Sequence, residues 1–195
     1  MQVAEAIEYV LNKLKRELSP MLTFHNLEHT LDVFNAANSL CESEGVGEFE
    51  GKLVQTAAIY HDVGFTIEGA GHEEHSCAIA KESLPRFGYS DDAIETICGI
   101  IKATKVPQQP ENHLQQIICD ADLDYLGRDD YTIISTRLYE ELINREQISS
   151  ESEWLDLQIN FLQNHRYFTE TSKSLRSEKK EENLHRLINW REKQV

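Results

Sequence analysis

Apolar residues recur at helical spacing along almost the whole chain. Val3, Ile7, Val10, Leu14 and Leu18 lie three or four residues apart, with Leu11 beside them, and predict an amphipathic first helix that Ser19-Pro20 ends. A second helix runs from about Phe24 to Cys41, where Gly45 and Gly47 break the pattern. A third covers about 49 to 62, turns Leu53, Val54, Ala57 and Ala58 inward, and stops near Gly64. Residues 65 to 71 read as a loop and His72 to Phe87 as a helix closed by Gly88. Ser90 then caps a helix with Ile94, Ile97, Ile100 and Ile101 on its inner face. Val106 to Glu111, holding Pro107 and Pro110, is a loop. Leu114, Ile117 and Ile118 lead into a helical stretch around Asp122, and further helices follow from about 130 to 145, 150 to 165 and 170 to 193. The charge run Arg176 to Glu182 reads as a solvated helix face. No window alternates apolar with polar, and there is no internal repeat. The prediction is an all-α chain forming one domain over 1–195, with the last long helix as an added element.

Composition narrows the classes without changing that picture. The 195 residues are 40% apolar and 27% charged, enough to bury a core. Nineteen basic residues face thirty-four acidic ones, a formal net charge of −15. That excludes a nucleic-acid backbone as the main partner, since neutralising phosphates needs a basic surface. A small phosphorylated ligand stays open, because a bound cation inverts the local field. Cys41, Cys77, Cys98 and Cys119 form no C-x-x-C pair and read as reduced, mostly buried thiols. The first residues carry no signal-like charge and apolar pattern, and no stretch approaches ~20 apolar residues. The expected location is the cytoplasm, with no membrane partner.

The chemistry concentrates at His61–Asp62, which closes the apolar run Ala57-Ala58-Ile59-Tyr60. Polar side chains in such a place are costly unless paired, hydrogen-bonded or bound to metal. On a helix the two lie about 100° apart and can bracket one ion. His29 one helix earlier and Asp122 in an apolar helix are the other candidates. Imidazole and carboxylate together suit manganese, iron, zinc, nickel or magnesium. Asp120 and Asp124 flank Asp122 at i ± 2 and are expected to point away from it.

The order His29, His61-Asp62, Asp122 resembles the HD superfamily of metal-dependent phosphohydrolases. Phe24-His25-Asn26-Leu27-Glu28-His29 is similar to the aromatic-His-Asn-x-x-His stretch of its cyclic-nucleotide phosphodiesterases. Ile59-Tyr60-His61-Asp62-Val63-Gly64 and Ala121-Asp122-Leu123 are similar to the His-Asp core and the Ala-Asp motif. The resemblance covers about 22 to 130 and implies an HD-domain helical bundle, with the helices of about 130 to 193 packed on that core. It implies one divalent cation held by His29, His61, Asp62 and Asp122, which would polarise phosphoryl oxygens and generate hydroxide from water. It also implies cleavage of a phosphomonoester or phosphodiester of a nucleotide or another small phosphorylated molecule, with Asp62 among the catalytic residues. His25, at i − 4 from His29, takes the place of the general acid on the leaving oxygen; a capping or structural role is the other reading.

In the two-metal HD-GYP members a His-Pro-x-x-Gly segment follows the His-Asp pair. His72 falls at the matching place, with Ser76 where that glycine stands, so His72 is a candidate for a second metal or for the rim of the site. His75 fits a supporting or structural position, and Glu73 and Glu74 suit a helix N-terminus. The histidines of a later His-His-Glu segment are missing from Ile100 to Lys105, and Phe65 replaces the HD-GYP lysine. A complete two-metal centre and cyclic-di-GMP turnover are therefore not expected. Lys102, Lys105 and Arg128 are the candidates to meet substrate phosphate. Two other readings stay open. His25-Asn26-Leu27-Glu28-His29 fits the H-x-x-E-H pattern of zinc peptidases, and the chain could be a catalytically silent HD-like module that binds a nucleotide or partner. Oligomeric state is not legible.

Overall fold

The computed structural model describes residues 1–193. Among them there are nine α-helices and no strand. They are α1 (Val3–Glu17), α2 (Leu27–Ser43), α3 (Glu48–Tyr60), α4 (His72–Ser83), α5 (Asp91–Ala103), α6 (His113–Asp122), α7 (Tyr131–Asn144), α8 (Glu151–Asn164) and α9 (Glu170–Glu192). Short 3₁₀ turns follow α3, α4 and α6, at Val63–Thr66, Leu84–Phe87 and Asp124–Gly127. The fold is all-α, as the periodicity predicts.

Side-chain caps set several starts. Asn26 accepts from the Glu28 and His29 amides ahead of α2, and Ser90, Asn112, Ser150 and Thr169 do the same for α5, α6, α8 and α9. α2 packs on both α3 and α6. That sandwich is the frame for His29, on α2, for His61, just past α3, and for Asp122, at the end of α6.

Buried apolar residues form two clusters. One joins α1 to α6 around Val54, Ile59, Ile97, Ile101, Ile117 and Ile118. The other joins Phe24, Leu123, Tyr125 and Leu126 to Leu155 and Leu162 of α8 and to Leu184 and Leu187 of α9. Phe24 and Leu123 belong to the second cluster, whereas Ala121 belongs to the first, so the His–Asp residues lie along the seam.

Two details differ from the sequence expectation. α3 ends at Tyr60 rather than about 62, and Asp62 leaves helical geometry at φ −105°, ψ 4° before the 3₁₀ turn. The cause is a close approach. Gly64 meets the start of α4 so tightly that an added Cβ would lie 2.0 Å from the His72 carbonyl oxygen. Its amide donates to Ser76 Oγ at 2.8 Å, and Ser76 Oγ donates to the His61 carbonyl at 2.6 Å. The second difference lies in α9. Its charge run is not all solvated: Lys180 is buried and donates to the Leu162 and His165 carbonyls. The buried face of the helix passes through the run, from Ser172 to Lys180 and on to Leu184 and Leu187.

Candidate metal centre

His29, His61, Asp62 and Asp122 converge. His61 Nε2 lies 3.4 Å from His29 Nε2, 3.1 Å from Asp62 Oδ2 and 3.5 Å from Asp122 Oδ1. His29 Nε2 lies 3.2 Å from Asp122 Oδ1 and 3.5 Å from Asp62 Oδ2. One donor atom each from His29, His61 and Asp122 can be chosen so that all fall within 4.8 Å of one another. His61 Nδ1 donates to the Ala58 carbonyl at 2.7 Å, which turns Nε2 toward the carboxylates.

A divalent cation fits this donor set. Asp62 Oδ2 is buried and has no hydrogen-bond partner, the costly state that a cation relieves. The electrostatics point the same way. Burial disfavours the His61 imidazolium, but Asp62 and Asp122 outweigh it and hold its pKa well above the ordinary histidine value. Burial likewise raises Asp122, yet its hydrogen bonds to His29 and His61 bring it down to about 2. Asp62 is also held well below the usual carboxylate range, chiefly by His61 acting against desolvation. The geometry calls for positive charge between the buried Asp62 and the half-buried Asp122 carboxylates.

His72, the first residue of α4, sets Nε2 3.3 Å from Asp62 Oδ1 and donates from Nδ1 to the Gly69 carbonyl at 3.0 Å. Asp62 thus faces the histidine pair with one oxygen and His72 with the other. His25 lies at the rim. Its Nδ1 donates to Glu141 Oε1 at 2.5 Å, while Glu141 Oε2 accepts the Phe24 and His25 amides, each at 2.9 Å. Glu141 is fully buried on α7. Burial pushes its pKa up, but the bonds from His25 and Phe24 keep it below the ordinary glutamate value. The Phe65 ring stacks on both His25 and His72, with centroids 4.3 and 4.2 Å away. Neither Glu141 nor Phe65 is a candidate in the sequence reading. The available signal for Glu141 was a carboxylate on the apolar stripe Ile134, Leu138, Leu142.

His25, Asp62, His72 and Asp122 open on a cavity of about 520 Å³. Of the three cations proposed to meet phosphate, Lys105 lines it. Lys102 is exposed outside it. Arg128 is a correction. Its Nη1 binds both oxygens of Asp32 at 2.8 and 2.9 Å, and its Nε and Nη2 bind Asp130 at 2.9 and 2.7 Å. Two carboxylates saturate the guanidinium fork away from the cavity. His75 is half-buried and does not line the cavity either. Asp120 and Asp124 turn away from Asp122, as expected. Asp120 accepts from Phe168 and Thr169, and Asp124 pairs with Arg176. The H-x-x-E-H reading does not assemble, because Glu28 is exposed against Arg137 and His25 is held by Glu141.

The model of the HD domain family matches residues 26–124. An uncharacterized protein of Clostridium beijerinckii is 35% identical over 96 residues, which cover 48% of this chain and 60% of that relative. The chain therefore spans somewhat over half the length of the curated relative it matches. The crystal structure of a predicted HD superfamily hydrolase from an uncultured Thermotogales bacterium superposes with a TM-score of 0.60 at 18% identity, over 97% of this chain and 89% of that one. The matched span holds all four converging residues, and it makes this chain a member of the HD domain family.

Proposed function

We propose that the chain is a metal-dependent phosphohydrolase that cleaves a small phosphoester. The observation carrying this reading is Asp62 Oδ2, buried without a hydrogen bond among two imidazole nitrogens and the Asp122 carboxylate. His29, His61, Asp62 and Asp122 would hold the cation. When bound there, a divalent ion polarises phosphoryl oxygens and brings the pKa of a water toward 7.

The chain's own residues do the rest. His25 gives a proton to the leaving oxygen. Glu141 holds its Nδ1–H and fixes the ring against Phe65. His72 orients the second oxygen of Asp62. Lys105, on the cavity wall, meets the phosphoryl group.

A phosphoester screen on the wild-type chain and Asp62→Ala tests the reading. Phosphate release should require added divalent metal and fall by at least about 10³-fold in Asp62→Ala. A variant with both metal and activity intact would contradict it.

A further inference from the structure

The cavity runs on from the His–Asp cluster into the space between α7 and α8. These helices touch through bridging side chains, Tyr131 to Gln158 and Tyr139 to Trp154, and leave a chamber between them. About 520 Å³ is the size of a small-molecule site and far more than a phosphate group needs. We infer that the chamber takes the alcohol part of the substrate, and that the substrate is a monophosphate ester of a bulky apolar alcohol. This rests on the phosphohydrolase reading and narrows it.

Three observations carry the inference. First, the chamber walls are apolar: Leu138 and Leu142 come from α7, Trp154, Leu157 and Phe161 from α8, and Leu126 from the turn before α7. Leu157 is 45% exposed, Leu142 and Trp154 are half-buried, and all three lie outside both apolar clusters, so these side chains are not consumed by core packing. Apolar surface gathered in a concave site is what an apolar ligand covers.

Second, polar partners are scarce. Tyr131, Ser135 and Gln158 are the polar side chains of this half, and the Tyr131 hydroxyl already donates to Gln158 Oε1 at 2.6 Å. A sugar or a nucleobase buried there would leave most of its hydrogen-bonding groups unpaired, which is costly. Third, Lys105 is the sole Lys or Arg among the lining residues, against Asp62, Glu73 and Asp122. That balance suits one phosphoryl group beside a cation and disfavours a polyphosphate chain.

The reaction balances without a further reagent. A water gives up a proton to solvent as its oxygen bonds to phosphorus, the ester P–O bond breaks, and the leaving oxygen takes a proton from His25, which regains one from solvent, giving inorganic phosphate and the free apolar alcohol.

The test uses the full chain supplied with divalent metal. Calorimetric titration compares 1-naphthylmethylphosphonate with 3,4-dihydroxybutylphosphonate, neither of which can be hydrolysed. The naphthyl compound should bind about tenfold or more tightly, with a negative heat-capacity change. Leu142→Gln should weaken its binding about tenfold. Equal or weaker binding of the naphthyl compound, or binding of neither, would overturn the inference. Phosphate release from 1-naphthyl phosphate, glycerol 3-phosphate and AMP is measured alongside. Faster release from the two polar esters overturns the ligand class and leaves the hydrolase standing. Tight naphthyl binding with no release from any ester supports the ligand class and overturns the hydrolase.

Discussion

Asp62 carries one oxygen toward the His29–His61 pair and the other toward His72, and the chemistry proposed for this chain is organised by that split. His25 depends on a different carboxylate. Glu141 receives its ring N–H and two backbone amides from the same stretch. Glu141→Gln should lower kcat about 10- to 100-fold and flatten the alkaline limb of the pH–rate profile, where a general acid loses its proton, with metal content unchanged. Metal analysis and a pH profile on the variant check this, and loss of the metal would mean that Glu141 supports the fold instead. His61, Asp62 and Asp122 were legible in the sequence because each closes or interrupts an apolar helix, and His29 through the ordered family resemblance that joins it to them. Glu141 was not, since it acts on a residue 116 positions away and no local motif marks that pairing. Arg128 misled for the complementary reason: its carboxylate partners include Asp32, 96 positions upstream.

At the scale of elements, helices came through with shifts of a few residues at their ends, because the apolar period and the cap residues are local signals. The turn after α3 did not come through. Asp62 leaves the helix because Gly64 lets the start of α4 approach, and that contact belongs to the tertiary structure. An added methyl at Gly64 meets backbone atoms of His72 and Ser76, which have no rotamer to yield. Gly64→Ala should cost about 2–4 kcal/mol of stability and reduce metal binding, because the same turn aims His61 and Asp62. Urea denaturation and metal titration read the two effects. A neutral substitution would show that the α3–α4 approach is dispensable. Lys180 in α9 is a similar case. A charge run promises solvent exposure, yet the helix face that packs on α8 buries this lysine on the carbonyls that end α8.

For the whole molecule, the two apolar clusters and the seam between them set both stability and function. His165 lies between α8 and α9, and neither of its ring nitrogens has a hydrogen-bond partner among the described residues. Burial, with Lys180 and Arg166 nearby, pushes its pKa down to about 3. An unfolded histidine binds its proton below about pH 6.5. Between there and about pH 3 the unfolded chain takes up a proton that the folded one refuses, so stability falls as the pH drops through that window. His165→Phe should remove part of that acid sensitivity, measured as a smaller loss of unfolding free energy between pH 7 and 4.5. An unchanged slope would mean that His165 is not the group responsible. Among the described residues no helix is long and apolar enough to cross a membrane, and the net charge of −15 leaves a local cation to attract a phosphate. The account therefore stands or falls on the ion held at the seam, and elemental analysis of the purified chain and of Asp62→Ala tests it most directly. We predict about one divalent metal ion per wild-type chain and a large loss from the variant. Metal-free wild type after incubation with manganese, iron, zinc, nickel or magnesium, or a variant that retains the full equivalent, would contradict it.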